Sequence, residues 1–231
     1  MSLDALGLSL SGRLSPTDFS VAPGQSVALI GPNGSGKTSL LRVLAGIAGK
    51  ARSLRVSGED LKSATPARRA RMVGFLPALR SVQWAIPVRD LLELSPLSAD
   101  KDRIRELVER LQLTPFLDRP ANALSTGERA RVLIARTLAT RPRHLLLDEP
   151  LANLDPYWVL TLRDLFAEEA ASGRGLVVAM HDLSQMQAFD RLVLMRDQQI
   201  VADAPRFELE HSDTIARLFD LTRDADGKMR L

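Results

Sequence analysis

The chain has 231 residues, 45% of them apolar and 26% charged, with a net charge of +3 at pH 7, values ordinary for one large globular domain. The absence of cysteine excludes disulfides, thiolate metal sites and a cysteine nucleophile, and three scattered histidines argue against a dedicated metal centre. The N-terminus lacks the layout of a signal peptide and no apolar run reaches the roughly 18–20 residues of a membrane span, so a cytoplasmic protein is expected.

Residues 1–30 read as short strands with turns at Ser11-Gly12 and Pro23-Gly24. Ser26-Val27-Ala28-Leu29-Ile30 fits a buried strand, and it runs into Gly31-Pro32-Asn33-Gly34-Ser35-Gly36-Lys37-Thr38, a phosphate-binding loop of the form G-x-x-x-x-G-K-T. Its glycines let the backbone turn N–H groups inward onto an anion, and the helix that follows from Ser39 aims its positive end at the same charge. Lys37 is expected to neutralise the β- and γ-phosphates of ATP, and the Thr38 hydroxyl to bind Mg²⁺.

Further on, residues 53–58 read as a strand ending in a turn, 66–71 as a short basic helix, and 72–76 as a buried strand stopped by Pro77. The Arg68-Arg69-Ala70-Arg71 cluster reads first as a solvated face. From 78 to 120 strand signals vanish, and 88–94 and 102–113 show helical spacing, which suggests a helical insertion. Strands then alternate with helices again: a strand at 145–147, a helix near 157–171, a strand at 176–180 and a helix near 184–189. A hairpin at 191–195 and 199–202 and a last helix at 213–219 follow. Asp148-Glu149-Pro150 places two carboxylates at a strand's C-terminal end. Asp148 is expected to hold Mg²⁺ through water, and Glu149 to act as general base on the attacking water.

Leu124-Ser125-Thr126-Gly127-Glu128, before a helical run over 129–140, is similar to the L-S-G-G-Q signature of the ATP-binding cassette (ABC) ATPases. Asn153-Leu154-Asp155 resembles their D-loop, and His181, after the 176–180 strand, looks like their switch histidine. The resemblance runs from about Val21 to Leu221. It implies an α/β P-loop NTPase fold of ABC type: a mostly parallel sheet flanked by helices, an antiparallel N-terminal β subdomain and a helical insertion. The whole chain, 1–231, is then one ATPase domain, with 1–77 and 121–231 forming the core plus β subdomain and 78–120 the helical subdomain.

The resemblance also implies that two copies pair head to tail, with ATP and Mg²⁺ at the seam. Ser125, Thr126, Gly127, Glu128 and Asp155 of one copy would face the nucleotide held by residues 31–39 of the other, and His181 would bind the γ-phosphate. A polytopic permease would be the second partner and an extracytoplasmic binding protein an indirect one. The location would be peripheral, on the cytoplasmic face of the plasma membrane, with no nucleic acid involved. The tail Ile215-Ala216-Arg217-Leu218-Phe219-Asp220-Leu221 is most similar to ATPases of vitamin B12, haem or ferric-siderophore importers, in which a final strand follows. The alternatives are a non-transport ABC ATPase acting mechanically on nucleic acid or ribosomes, or a weakly active regulatory subunit.

Four positions depart from the family's pattern. Ala78 follows Phe75-Leu76-Pro77 where relatives carry glutamine, and a methyl group can neither ligate Mg²⁺ nor hydrogen-bond water. Thr126 replaces a glycine, and Glu128 a glutamine; Ala130 stands where many relatives have a second glutamine. No tyrosine is present to stack on adenine. Phe19 fits the core better, which leaves Arg13, whose planar guanidinium can stack on a base.

Overall fold

The computed structural model describes residues 2–78, 82–94, 100–210, 212–223 and 229–230. Strands β1 (Leu3–Leu10) and β2 (Leu14–Val21) pair antiparallel across the Ser11-Gly12 turn, with Leu3, Leu8, Leu14, Phe19 and Val21 turned into the core. Phe19 is thus a core residue, as expected. β3 (Ser26–Ile30) leaves this sheet for the central one, and α1 (Lys37–Leu44) follows the phosphate loop. The N-terminal sheet is completed by β4 (Ser53–Val56) and β5 (Glu59–Asp60). α2 (Pro66–Met72) begins with proline in its first turn and a Thr65 cap, and runs into β6 (Val73–Leu76).

The chain then turns helical: α3 (Val88–Glu93), α4 (Lys101–Arg110) and α5 (Thr126–Ala139). The predicted insertion 78–120 includes 79–81 and 95–99, which lie outside the described residues. Its two ends are zipped together. Pro87 bridges Pro120, the Val88 N–H donates to the Arg119 carbonyl at 3.1 Å, and the Ala121 N–H to the Ile86 carbonyl at 2.8 Å. The return to α/β structure brings β7 (His144–Asp148), α6 (Pro156–Ala171), β8 (Gly175–Met180), β9 (Arg191–Arg196) and β10 (Gln199–Pro205). Last come α7 (Arg206–Leu209), α8 (Asp213–Leu218) and a ribbon of β11 (Thr222–Arg223) and β12 (Met229–Arg230).

The central sheet has the order β10-β9-β3-β8-β7-β6, parallel throughout except for the β9–β10 hairpin. Every residue of β3, β7 and β8 is buried, because both faces are covered. The strand alternation separates two cores. Ala28, Ile30, Leu145, Leu147 and Val178 pack with α3 to α6, whereas Val27, Leu29, Leu146 and Val177 pack with α1 and the N-terminal sheet. Burial of each such leucine stabilises the fold by about 1.5–3 kcal/mol.

Charge pairs tie α4 to α6. Arg103 and Glu169, both buried, form an ion pair; Glu169 also meets Arg174 at 3.0 Å, and Arg110 binds Glu168. Three sequence expectations need correction. The 184–189 helix is a 3₁₀ stretch, Leu183–Ala188, because the Asp182 carboxylate accepts from the Ser184 N–H and Gln185 Nε2, both at 2.9 Å, and tightens the turn. The 102–113 helix stops at Arg110, and Gln112 takes a left-handed φ of 51°. The helix expected over 129–140 starts at Thr126, since Ser125 caps it.

Candidate active site

β3, β8 and β7 are parallel neighbours, so the residues that follow them, Gly31, His181 and Glu149, emerge at one edge of the sheet. Ligands of open α/β sheets bind at that edge. The loop after β3 can only be glycine-rich. Gly36 caps α1 with φ 104°, and a Cβ there would lie 3.1 Å from the Arg13 carbonyl. At Gly31 a Cβ would meet the Met195 carbonyl at 2.2 Å, so the loop runs directly against β9.

Lys37 is buried, and its Nζ donates to the carbonyls of Gly31 at 2.7 Å and Pro32 at 3.1 Å. Burial pushes its pKa down, and the charges of Glu149 and Asp148 push it back up. Asp148, the last residue of β7, is also buried; the Thr38 hydroxyl and the Ala78 N–H donate to it, and its Oδ2 accepts no hydrogen bond. Burial raises its pKa, the Thr38 bond opposes this and the Glu149 charge adds to it. A buried carboxylate oxygen without a donor, beside a threonine hydroxyl, is a donor set that fits a hydrated Mg²⁺.

Glu149 adopts a left-handed φ of 49°, and its N–H donates to the Ala179 carbonyl at 3.0 Å. Its Oε1 lies 3.2 Å from His181 Nδ1. Glu149 borders two clefts. One, of about 320 Å³, is lined by Arg13, residues 33–39 and Gln198. The other, of about 250 Å³, is lined by Asn153, Leu154, His181 and Gln185. Asn33, Gly34, Ser35 and Ser39 thus share a cleft with Lys37 and Thr38, and Pro32 precedes them on the same loop. Arg13 is exposed at the rim of that cleft.

Gln198 was not anticipated. It sits in the two-residue turn of the β9–β10 hairpin, where Asp197 and Gln198 both have positive φ, 49° and 66°. Its N–H donates to the Ser35 carbonyl at 3.1 Å, and its carbonyl accepts from the Ser15 N–H at 2.9 Å. The spacing of the two strands foretells a hairpin, but nothing local says where its tip lands.

Residues 125–128 line neither cleft. Ser125 is the N-cap of α5: the Glu128 N–H donates to its Oγ at 3.3 Å, and its own N–H donates to Glu128 Oε2 at 2.7 Å. Thr126, the first helical residue, has no positive φ, so its Cβ costs the backbone nothing. Gly127 faces Leu154, and Asp155 caps α6 by accepting from the Trp158 N–H at 3.1 Å. The structure therefore gathers Arg13, residues 31–39, Asp148, Glu149 and His181, and sets 125–128 beside the 153–155 turn. Arg131 joins these two elements, its guanidinium 4.0 Å from the Trp158 ring centre and donating to the Leu111 carbonyl at 2.6 Å.

The family model described as "ABC transporter" matches residues 14–152. The chain belongs to the ABC transporter family. A hemin import ATP-binding protein, HmuV, of Rhizobium leguminosarum is 32% identical over 238 residues, covering 95% of this chain and 90% of that one. HmuV of Streptomyces coelicolor is 36% identical over 228 residues, covering 93% and 81%. Among solved structures, an ATP-binding subunit of an ABC transporter superposes with a TM-score of 0.83 at 22% identity, covering 95% of this chain and 98% of that one. A nucleotide-free ATP-binding cassette gives 0.76 at 24% identity, covering 95% and 99%. The ABC cassette fold expected from the sequence is thus the observed one, and the chain is an ATP-binding ATPase of this family. No helix among the described residues is long and apolar enough to cross a membrane.

Proposed function

We propose that this chain is the ATP-hydrolysing subunit of an importer of a metal-chelate cargo, with haem the chemical type suggested by its relatives' names. The observation that supports it most is the convergence of Lys37, Thr38, Asp148, Glu149 and His181 at the carboxyl ends of β3, β7 and β8. Lys37 and the loop N–H groups hold the β- and γ-phosphates. Thr38 and Asp148 hold Mg²⁺, which neutralises charge developing on the phosphate oxygens. Glu149 takes the proton of a water whose oxygen bonds to the γ-phosphorus as the bond to the β–γ bridging oxygen breaks; ADP and phosphate leave. His181, beside Glu149, steadies the γ-phosphate and the water, and Arg13 stacks on adenine.

The second half of each site comes from another copy. Ser125, Thr126, Gly127 and Glu128 sit at the N-terminus of α5, where free N–H groups favour an anion, and with Asp155 they cover the partner's ATP. ATP then bridges the two copies and hydrolysis releases them. We read 78–120 as the subdomain that meets the permease. Its helices and β6 border an apolar groove of about 340 Å³ lined by Phe75, Trp84, Leu91, Leu94, Leu133 and Arg136, with Trp84 75% exposed. The subunit is accordingly peripheral, on the cytoplasmic side.

The test is Glu149→Gln. Phosphate release should fall by at least about 100-fold, as for loss of a general base, and ATP should now accumulate a stable dimer in light scattering. Unchanged turnover would remove Glu149 as the base.

A further inference from the structure

Arg136 projects from α5 into the apolar groove just described, between Leu133 and Thr137. Its Nη2 makes one printed polar contact, a long 3.4 Å approach to the Leu94 carbonyl. Other arginines nearby are satisfied differently: Arg68 by Glu59, Arg141 by Asp100, Arg110 by Glu168. No carboxylate lines this groove, nor the shallower hollow beside it that shares Phe75, Leu94 and Arg136. The flanking stretches 79–81 and 95–99 contain no Asp or Glu in their sequence. Burial pushes the Arg136 pKa down, with no acidic neighbour acting against it.

A partly desolvated guanidinium in an apolar groove is costly until a carboxylate meets it, and its planar fork matches that group's geometry. We propose that the groove receives an amphipathic segment of the permease that presents an Asp or Glu to Arg136 and an apolar side chain to Trp84 and Leu94. This rests on the reading that the permease docks here, and it adds the chemistry by which the right permease is chosen. A neutral or basic segment of equal shape is refused, because it leaves the guanidinium buried and unpaired.

The experiment rebinds purified protein to membranes of its native host from which this gene has been deleted. Wild type is compared with Trp84→Ala, Arg136→Gln, Arg136→Glu and Arg136→Lys, with ATP-dependent dimerisation as the control for folding. Arg136→Gln should lower retention at least about tenfold, the loss expected for one partner of a desolvated charge pair, and Arg136→Glu should lower it further. Arg136→Lys, which keeps the charge without the fork, should fall between, and it serves as the readout if Arg136→Gln fails to fold. Replacing one acidic permease residue with a basic one should restore binding of Arg136→Glu. Wild-type retention of the Arg136 variants alongside loss in Trp84→Ala overturns the charge proposal and leaves docking in place. Wild-type retention of Trp84→Ala and Arg136→Glu together overturns docking in this groove altogether.

Discussion

Ala78 brings its backbone to the site: its N–H donates to the Asp148 carboxylate, while its methyl offers nothing to water or Mg²⁺. Restoring a polar side chain by Ala78→Gln should raise basal phosphate release severalfold; equal rates would show that the backbone contact suffices. Glu128 supplies a pH test. The Ser125 N–H, chiefly, holds its carboxyl below the ordinary value of 4.5. A carboxyl depressed on folding stabilises the native state fully above its unfolded value, and the contribution disappears as pH falls through the lower folded value. The stability difference between wild type and Glu128→Gln, from urea midpoints, should therefore be constant above pH 4.5 and vanish in stronger acid.

Among the elements, the buried strands were legible because β3, β7 and β8, covered on both faces, read as continuous apolar runs. The phosphate loop was legible because glycine is the one residue that fits beside β9 and the Arg13 carbonyl. The start of α5 was written in Ser125 and Glu128 but missed, since the two residues were weighed as a binding motif rather than as a cap. The arginines were not legible: Arg103 is buried against Glu169 and Arg136 lies in a groove, and tertiary packing alone distinguishes them from exposed ones. Removing the cap by Ser125→Ala should cost about 1 kcal/mol in denaturant unfolding. Glu169→Gln, which strands the buried Arg103 charge, should cost about 3–5 kcal/mol, and the double change Arg103→Met with Glu169→Leu should recover most of it.

For the whole molecule, the separation of 125–128 from the clefts around Glu149 makes complementation the informative measurement. Lys37→Ala and Ser125→Arg should each abolish turnover alone. Mixed, they should regain it, because each mixed pair assembles one seam from two intact halves. Continued inactivity of the mixture would oppose a shared seam. The paired neck at Pro87 and Pro120 carries a different consequence. Chain enters and leaves the helical excursion side by side, so lengthening or rewriting what lies beyond changes the closure entropy by only about 0.6 kcal/mol per doubling. Natural variation can therefore redraw the membrane-facing end for a new transporter while the hydrolytic end, anchored on three strands across the fold, stays as it is.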